Sequence, residues 1–247
     1  MTTEISVESK EERVEVKENK ELNPLSEFFF NNKGHASSKW HHYFDIYHHH
    51  FKKFKDAASP TNKIVLYEIG VLGGGSLMMW LNYFGKDNCI IYGIDIDPRC
   101  KAMEGVDPNI KIIIGDQGNK EFLKSITETY PKPDIIVDDG GHEMFQQINS
   151  FEVLFPFVKD NGVYLCEDTH TSYWSNFGGG KKHKNSFIEF TKDIIDSING
   201  YHLREGGSPD EYTKICYALH YYDSIVVFDK ISNKSRPACS VTGIMKW

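Results

Sequence analysis

Two adjacent carboxylates and a histidine lie on a glycine turn in the stretch "IIVDDGGHEMFQQ", residues 135–147. The apolar run ends at Asp138 and Asp139, two glycines follow, and His142 comes three residues after Asp139. Like charges repel each other, and buried carboxylates are costly unless they are paired or bind a metal ion. The stretch therefore predicts either an open, solvated turn or a site that holds a cation.

A second acidic pair, Glu167 and Asp168, follows a later apolar run in "GVYLCEDTHTSYW". If the two runs are neighbouring parallel strands, four carboxylates converge at one edge of a sheet and call for a cation. Oxygen ligands favour a hard ion, Mg²⁺ first, with Mn²⁺ or Ca²⁺ as alternatives. The structural alternative is that the acids cap the following helices, which explains one or two of them but not both pairs. A histidine can take up a proton near neutral pH, so His142 is the candidate general base.

The elements that must position these acids alternate regularly from residue 63 onward. The predicted strands are "KIVLYEIG", "CIIYGIDID", "IKIIIGDQ", "PDIIVDD" and "GVYLCED", and the predicted helices between them are "SLMMWLNYF", "EFLKSITETY" and "QINSFEVLFPFV". This alternation predicts an α/β fold with a doubly wound, mostly parallel sheet and helices on both faces. The segment "YALHYYDSIVVFDKI" predicts an antiparallel C-terminal hairpin at the sheet edge. In such sheets ligands bind beyond the carboxyl ends of the strands, which is where the acidic pairs lie.

The chain is predicted to have three parts. Residues 1–24 are rich in Glu and Lys and have no aromatic residue, so we expect a flexible charged tail. Residues 25–60 are an N-terminal helical segment, and residues 61–247 form the sheet domain. In the helical segment, "SSKWHHYFDIYHHHFKKF" predicts an amphipathic helix on the core, whose apolar stripe is Trp40, Phe44, Tyr47, Phe51 and Phe54.

The histidines of the same helical segment suggest metal ligands, but their spacing does not. His48, His49 and His50 are consecutive and point in three directions on a helix, so a structural or surface role is expected.

Composition restricts the class of protein. The 247 residues carry a net charge of −7, which argues against a general nucleic-acid binder. No apolar run approaches the roughly 18 residues of a membrane span, and the N-terminus has no apolar core like that of a signal peptide. The five cysteines are scattered without CxxC spacing, so reduced thiols are expected. We therefore expect a cytoplasmic protein with no nucleic-acid and no membrane partner.

The strand ends before the acidic pairs suggest a nucleoside-containing cofactor. The first strand ends in "EIGVLGGGS", a glycine-rich turn that allows close backbone approach to a ligand, although it departs from GxGxxG. Asp95, at the end of the second strand, can accept two ribose hydroxyls. Asp116 and Gln117, at the end of the third, can contact an adenine edge. Asp97 precedes Pro98 and is expected to cap a helix instead.

The combination of Glu68, the glycine turn, Asp95 and Asp116 resembles the class I S-adenosylmethionine-dependent methyltransferases, and favours them over nicotinamide enzymes. The resemblance implies their Rossmann-like fold and S-adenosylmethionine as cofactor. The cofactor-binding residues that it implies are Glu68, Gly70, Gly73, Ser76, Asp95, Asp116, Gln117 and Asp138.

The acidic motifs "VDDGGHEMF" and "EDTHTSYW" look like those of the metal-dependent sugar O-methyltransferases of macrolide tailoring, of the macrocin and mycinamicin type. The cephalosporin hydroxylase small-subunit family shares the pattern, and the resemblance runs from about residue 33 to residue 230. The segment "NNKGHASSKWHHYF" resembles the family's entry segment before the sheet, which implies that Lys33 and Tyr43 can reach the cofactor or the substrate. It implies His142 as general base, Asp138 facing the methionine part of the cofactor, and a metal held by Asp139, Glu167 and Asp168.

The segment after the second acidic pair suggests an acceptor site. Tyr173 and Trp174 can stack on a sugar ring, or they can pack the base of the following loop, and His170 is a further substrate candidate. The loop "SNFGGGKKHKNSF" can be a lid over the acceptor or a solvated loop, and the sequence favours neither.

The expected reaction is methyl transfer to a hydroxyl of a sugar or glycosylated small molecule, after His142 removes the hydroxyl proton. A catechol-type acceptor, a cofactor-binding partner subunit without methylation, and a nicotinamide oxidoreductase remain as alternatives. The longer macrolide enzymes carry an additional N-terminal domain, for which this chain is expected to have no room, so the macrolide acceptor does not carry over. Relatives of this type also suggest a homo-oligomer.

Overall fold

The computed structural model describes residues 23–204, 207–240 and 242–243. Most of the predicted charged tail therefore lies outside the described residues. Its last two positions, Asn23 and Pro24, start the first helix, because the Asn23 side chain accepts hydrogen bonds from the backbone N–H groups of Leu25 and Ser26. The predicted division of the chain into three parts stays a prediction.

A mixed sheet forms the centre of the described chain. Its strands are β1 (Ile64–Ile69), β2 (Cys89–Asp95), β3 (Ile110–Ile114), β4 (Ile135–Asp138), β5 (Val163–Cys166), β6 (Cys216–Tyr222) and β7 (Ile225–Lys230). The spatial order is β3-β2-β1-β4-β5-β7-β6, in which β1 to β5 are parallel and β7 runs antiparallel to both β5 and β6. The predicted α/β fold with an antiparallel C-terminal hairpin is confirmed.

Helices cover both faces of the sheet. They are α1 (Pro24–Asn31), α2 (Tyr43–Ala57), α3 (Gly75–Phe84), α4 (Lys120–Thr129), α5 (Met144–Leu154), α6 (Phe187–Ile198) and α7 (Glu211–Ile215). Short 3-10 segments occupy Lys86–Asn88, Pro98–Gly105, Thr169–Tyr173, Ser175–Phe177 and Gly200–His202. The side chain of Asp97 accepts the N–H of Arg99 at the start of the second of these, which confirms its predicted role as a cap.

Alternation along the strands divides the core into two layers. In β1, Leu66 packs with the residues of α1 to α3, whereas its neighbours Val65 and Tyr67 pack with those of α4 to α6. All residues of β1 are buried, which is why the strand reads as a continuous apolar run. Whether a residue lies at an odd or an even position along its strand therefore decides which helical layer its side chain contacts.

The predicted aromatic helix is α2, but the prediction that Trp40 belongs to its buried stripe is wrong. The helix begins at Tyr43, whose N–H bonds to the carbonyl of Trp40 across a turn, and this turn rotates Trp40 away from the stripe. Trp40 is 57% exposed, whereas Phe44, Tyr47 and Phe51 are buried.

Two further features bear on the class of protein. All five cysteines are free thiols, four of them buried and Cys239 exposed. Among the described residues, no helix has the length and apolar character needed to cross a membrane.

The aromatic layer beneath α5 gives a test of the core. Phe151 is buried, and its ring lies 4.8 Å from that of Phe155 and 4.3 Å from that of Phe228, measured between centroids. We expect Phe151→Ala to lower the free energy of unfolding by about 3–5 kcal/mol, because a large cavity remains. Phe145→Ala, at a half-exposed position of the same helix, should change it by about 0.5 kcal/mol or less. Urea denaturation measures both, and equal losses would contradict this packing.

Candidate active site

A cavity of about 860 Å³ opens at the carboxyl ends of the central strands. The turn between β1 and α3 forms one wall, and the segment before α2 forms another. A side chain at Gly70 would meet the Asp139 carbonyl at 2.0 Å, and one at Gly73 would meet the Ala36 carbonyl at 2.9 Å. Gly70 also has φ +90°, which other residues rarely adopt. The glycines are therefore required by close backbone packing around the cavity.

Asp95 and Asp116 line this cavity at the ends of β2 and β3. One oxygen of Asp95 accepts the N–H groups of Val71 at 2.8 Å and Leu72 at 3.2 Å, and the other accepts that of Asp97 at 2.8 Å. Asp95 therefore braces the glycine turn in addition to facing the cavity. Asp116 accepts the N–H of Gly118 at 2.7 Å.

Glu68 and Asp138 are placed beneath the cavity and do not line it. Glu68 accepts from the Ser76 hydroxyl at 2.8 Å and from the Trp80 indole N–H at 3.2 Å. Asp138 accepts from Tyr164 at 2.7 Å and from the Gln117 amide at 3.0 Å. Burial raises the pKa of each carboxyl to about 7.

Ser76 and Gln117 do line the cavity, although both side chains also bond inward. The Gln117 carbonyl oxygen accepts the N–H of Gly141 at 2.8 Å, which ties the end of β3 to the turn after β4. The direct contact of all these residues with a cofactor stays a prediction.

A group of acidic residues and one histidine lies at the ends of β4 and β5, which are neighbouring strands as expected. We call this group the acidic edge, and its members are Asp139, His142, Glu167 and Asp168. His142 Nε2 lies 3.8 Å from Asp139 Oδ1 and 3.5 Å from Asp168 Oδ2. One ligand atom of each of these three residues lies within 4.8 Å of the others. Asp139 and Asp168 supply the oxygen donors that Mg²⁺ prefers, so the residues present fit such an ion.

Backbone strain accompanies the acidic edge. His142 and Asp168 both adopt left-handed conformations, with φ +57° and +52°, which cost energy for residues other than glycine. His142 Nδ1 is buried and has no hydrogen-bond partner among the described residues. Strained backbone and an unpartnered buried nitrogen are features that concentrate at functional sites.

The carboxylate of Glu167 is held by α2 and by the segment before it. Its Oε1 accepts from the Tyr47 hydroxyl at 2.7 Å, and its Oε2 accepts from Lys39 at 2.9 Å. Burial, followed by repulsion from Asp139, raises its pKa well above the usual value. Glu167 therefore depends on the cation and the hydroxyl that surround it.

Lys39 is the site residue that sequence reasoning missed. Its side chain is 2% exposed, bonds to Asp139 and Glu167, and lies 3.9 Å from Glu68. Burial alone would lower its pKa, but attraction to the three carboxylates outweighs burial and raises it. The signal was the excess of carboxylates itself, because they required a cation and the chain supplies one.

Tyr43, a candidate from the sequence, holds the remaining acid. Its hydroxyl donates to Asp168 at 2.6 Å, and burial together with this bond raises its pKa. Lys33, the other candidate of that segment, lines neither of the two cavities described in this section.

A second cavity, of about 590 Å³, adjoins the first at the acidic edge. Ser38, Lys39, Asp139 and Asp168 line both cavities, and Trp40 lines only the second. A ligand in the first cavity and one in the second would therefore meet at Asp139 and Asp168.

The three predicted substrate residues line neither cavity. His170 Nδ1 lies 2.9 Å from the Ser224 hydroxyl, and its ring contacts Trp174 at 4.7 Å and Trp40 at 6.1 Å. Tyr173 and Trp174 are exposed. Their contact with an acceptor stays a prediction.

Residues 67–169, which include the glycine turn and the acidic edge, match the family described as "Methyltransferase domain". This part of the chain is similar to a methyltransferase domain, and its fold is that of the class I methyltransferases. The predicted resemblance to this family is confirmed.

The curated relatives that match this chain include O-methyltransferases. Demethylmacrocin O-methyltransferase of Streptomyces fradiae is 32% identical over 78% of this chain and 50% of its own length. The 8-demethyl-8-alpha-L-rhamnosyl tetracenomycin-C 2'-O-methyltransferase of Streptomyces olivaceus is 30% identical over 83% of this chain and 55% of its own length. The chain spans about half the length of the curated relatives it matches.

Among solved structures, the chain is similar to the MycE methyltransferase from the mycinamycin biosynthetic pathway, in complex with Mg, SAH and mycinamycin VI. The TM-score is 0.72 at 32% identity, over 85% of this chain and 54% of that one.

Gly70 gives a test of the cavity wall. We expect Gly70→Ala to lower the free energy of unfolding by about 1–3 kcal/mol and to abolish ligand binding in the cavity, because the added carbon forces the Asp139 peptide to move. Gly105→Ala is the matched control, since its added carbon meets nothing within 4 Å. Denaturation and cofactor titration measure both effects, and normal binding by Gly70→Ala would refute this account.

Lys39 gives a test of the charge balance. We expect Lys39→Met to lower the free energy of unfolding near pH 8 by about 3–5 kcal/mol, because buried carboxylates lose their cation. Burial raises the folded-state pKa of Glu68 to about 7 and holds that of Glu167 well above its usual value, so both exceed the unfolded value of about 4.3. The folded variant then holds protons that the unfolded chain has lost, so its stability falls as pH rises from about 5 to 8.

Urea denaturation across this pH range measures the effect. Lys120→Met is the control, because its partner Glu152 is a surface residue, and it should change stability by about 1 kcal/mol or less. A Lys39→Met deficit that is the same at pH 5 and pH 8 would argue against carboxylate pairing as its cause.

Proposed function

We propose that this chain transfers the methyl group of S-adenosylmethionine to a hydroxyl group of a sugar or glycosylated small molecule. A divalent ion, Mg²⁺ first, would be held by Asp139, Glu167 and Asp168. The observation that carries this proposal is the junction of the two cavities at Asp139 and Asp168. Methyl transfer needs two ligands whose reacting atoms meet in line, and this junction is a place for that meeting.

The first cavity suits the methyl donor. It has the position expected for a nucleoside cofactor, beyond the ends of β1, β2 and β3, and Asp95 and Asp116 offer carboxylate oxygens to polar groups of such a ligand. The solved MycE structure, which contains SAH and Mg, supports the same assignment for this chain.

The second cavity suits the acceptor. Trp40 offers an exposed aromatic face beside the acidic edge, and sugar rings pack their apolar faces on such surfaces. The names of the relatives, which describe O-methylation of a rhamnosyl tetracenomycin and of demethylmacrocin, support a glycosylated acceptor.

His142 is the proposed general base. When bound, the metal ion would lower the pKa of the acceptor hydroxyl. His142 Nε2 faces the same place as the oxygens of Asp139 and Asp168, at 3.8 and 3.5 Å, and can take up the hydroxyl proton there. The imidazolium that results is stabilised by both neighbouring carboxylates.

Lys39 and the tyrosines prepare the carboxylates for this role. Tyr43 and Tyr47 donate to Asp168 and Glu167 and so fix the orientation of these two carboxylates. The Lys39 ammonium balances charge between Asp139 and Glu167, in the position that a cation shared by these two acids would take. A divalent ion bound to both would compete with this ammonium.

Calorimetric titration with S-adenosylmethionine and S-adenosylhomocysteine, with Mg²⁺ and with a chelator, tests the cofactor assignment. Binding of both compounds is expected, and their failure to bind in either condition would rule out the proposed function.

His142→Asn tests the chemical step. We expect this variant to bind cofactor within about threefold of the wild type and to lose about 10²- to 10⁴-fold in methyl transfer, because only proton removal is affected. His202→Asn, an exposed position, is the control. The assay measures S-adenosylhomocysteine formation with glycosides and with a catechol as acceptors. Full activity of His142→Asn would exclude it as the base, and turnover with the catechol alone would favour the catechol-type alternative.

A further inference from the structure

Another group of metal-ligating side chains lies between α2 and the C-terminal hairpin. His50 of α2 meets His220 of β6 and Asp229 of β7, and one ligand atom of each lies within 4.8 Å of the others. None of the three lines either cavity described above. The proposed methyl transfer therefore makes no use of them.

We propose that His50, His220 and Asp229 bind a divalent transition-metal ion, Zn²⁺ first, which joins α2 to the hairpin. Two imidazole nitrogens and one carboxylate oxygen are ligands that suit Zn²⁺, with a water molecule in the fourth position. Mg²⁺ prefers oxygen ligands alone, so this site and the acidic edge differ in the metal they select.

The geometry is close to what such an ion needs. With metal–ligand bonds of about 2.0–2.1 Å, two tetrahedral ligands lie about 3.4 Å apart. His220 Nε2 is already 2.8 Å from Asp229 Oδ2, and the rings of His50 and His220 lie 4.8 Å apart between centroids. Side-chain rotations that move the ligand atoms by about an ångström would bring the three atoms around one ion.

Two neighbouring side chains, Tyr222 and Lys53, contact the proposed ligands and leave room for an ion. His50 is 6% exposed, and its Nε2 lies 3.0 Å from the Tyr222 hydroxyl, which restricts the ring. Lys53 is the competing cation, with its ammonium 4.0 Å from Asp229 Oδ1. Its side chain is half exposed, so the ammonium can turn to water when a metal ion neutralises Asp229.

An ion at this place would connect two elements that hold the acidic edge. Helix α2 carries Tyr43, whose hydroxyl donates to Asp168 and lies 3.3 Å from the Ser224 carbonyl. The hairpin carries Ser224 in its turn, and the Ser224 hydroxyl contacts His170. The metal ion would therefore fix the distance between Tyr43 and the turn that it touches.

The experiment uses the full chain, treated with chelator and then saturated with Mg²⁺ so that the acidic edge is occupied. Co²⁺ is added as a spectroscopic probe, and Zn²⁺ binding is measured by calorimetry. We expect one Zn²⁺ ion per chain and a visible Co²⁺ spectrum that indicates histidine ligands. His220→Asn and Asp229→Asn should each weaken Zn²⁺ binding by about tenfold or more and remove the Co²⁺ spectrum.

Two variants serve as matched controls. His49→Asn removes the neighbouring imidazole, which is exposed and lies outside the trio, and should keep the binding. His142→Asn removes the imidazole of the acidic edge and should also keep it. Zn²⁺ should raise the melting temperature of the wild type and of both controls, but not that of His220→Asn.

The outcomes decide whether the trio is a metal site or only a hydrogen-bonded contact. Absence of Zn²⁺ binding under Mg²⁺, or binding that His142→Asn removes and His220→Asn keeps, would overturn the proposal and leave the trio as a hydrogen-bonded contact. Circular dichroism without metal checks that each variant folds, and Asp229→Asn preserves the test if His220→Asn does not. These readouts need no methyl transfer, so the proposed function and this site stand or fall separately.

Discussion

The ammonium of Lys39 allows two carboxylates to lie buried, with a third beside them, at one edge of the sheet. Removing an ion from water costs several kcal/mol even after relaxation, so Glu68 and Glu167 require a close partner of opposite charge. Lys39 serves both and also Asp139, with distances of 3.9 Å to Glu68 and 2.9 Å to Glu167. The parallel strands bring the acids together, and this one cation makes their proximity compatible with folding.

The position of Lys39 also explains how the cavities are formed. Lys39 lies 100 residues before Asp139 in the chain, so the segment ahead of α2 must cross the strand ends to deliver it. There the Ala36 carbonyl accepts the N–H of Gly75 at 3.0 Å, in a space where a side chain at Gly75 would meet it at 2.6 Å. The crossing segment forms a wall of the first cavity and, through Lys39 and Trp40, a wall of the second one. The segment ahead of α2 thus balances the charge of the carboxylates and also lines both cavities.

Local patterns predicted most of the fold and part of the site. The alternation of apolar runs predicted the sheet and the hairpin because strand and helix periods are properties of neighbouring residues. Convergence of the acidic pairs followed from the rule for parallel sheets. The pairing of Lys39 with Glu167 could not be predicted in this way, because the two residues are 128 positions apart and no spacing connects them. Trp40 was misplaced because a turn before Tyr43 interrupts the period that the aromatic residues suggest.

Strand parity could have divided the acids correctly. Side chains alternate between faces, so Asp138 falls on the layer of Tyr164, whereas Asp139 falls on the layer of α2. The same count places Glu68 and Glu167 on the α2 layer, which is the layer that Lys39 enters. Strand parity therefore separates Asp138, which bonds to Gln117 and Tyr164, from the three carboxylates near Lys39, which are Glu68, Asp139 and Glu167. The identity of the cation could not be predicted in this way, because it depends on the tertiary fold.

The strained turns at the acidic edge are held by one buried hydroxyl. Thr171 Oγ1 lies 3.0 Å from the carbonyl oxygen of His142 and 2.9 Å from that of Asp168, and these are the two residues of the acidic edge with left-handed backbones. A single donor shared by both carbonyls links the end of β4 to the end of β5 directly above the sheet. Because strain of this kind persists only where the surroundings over-determine it, Thr171 couples the two turns mechanically. His142 and its carboxylate neighbour Asp168 are therefore oriented by the backbone on which they lie, before any ligand contributes.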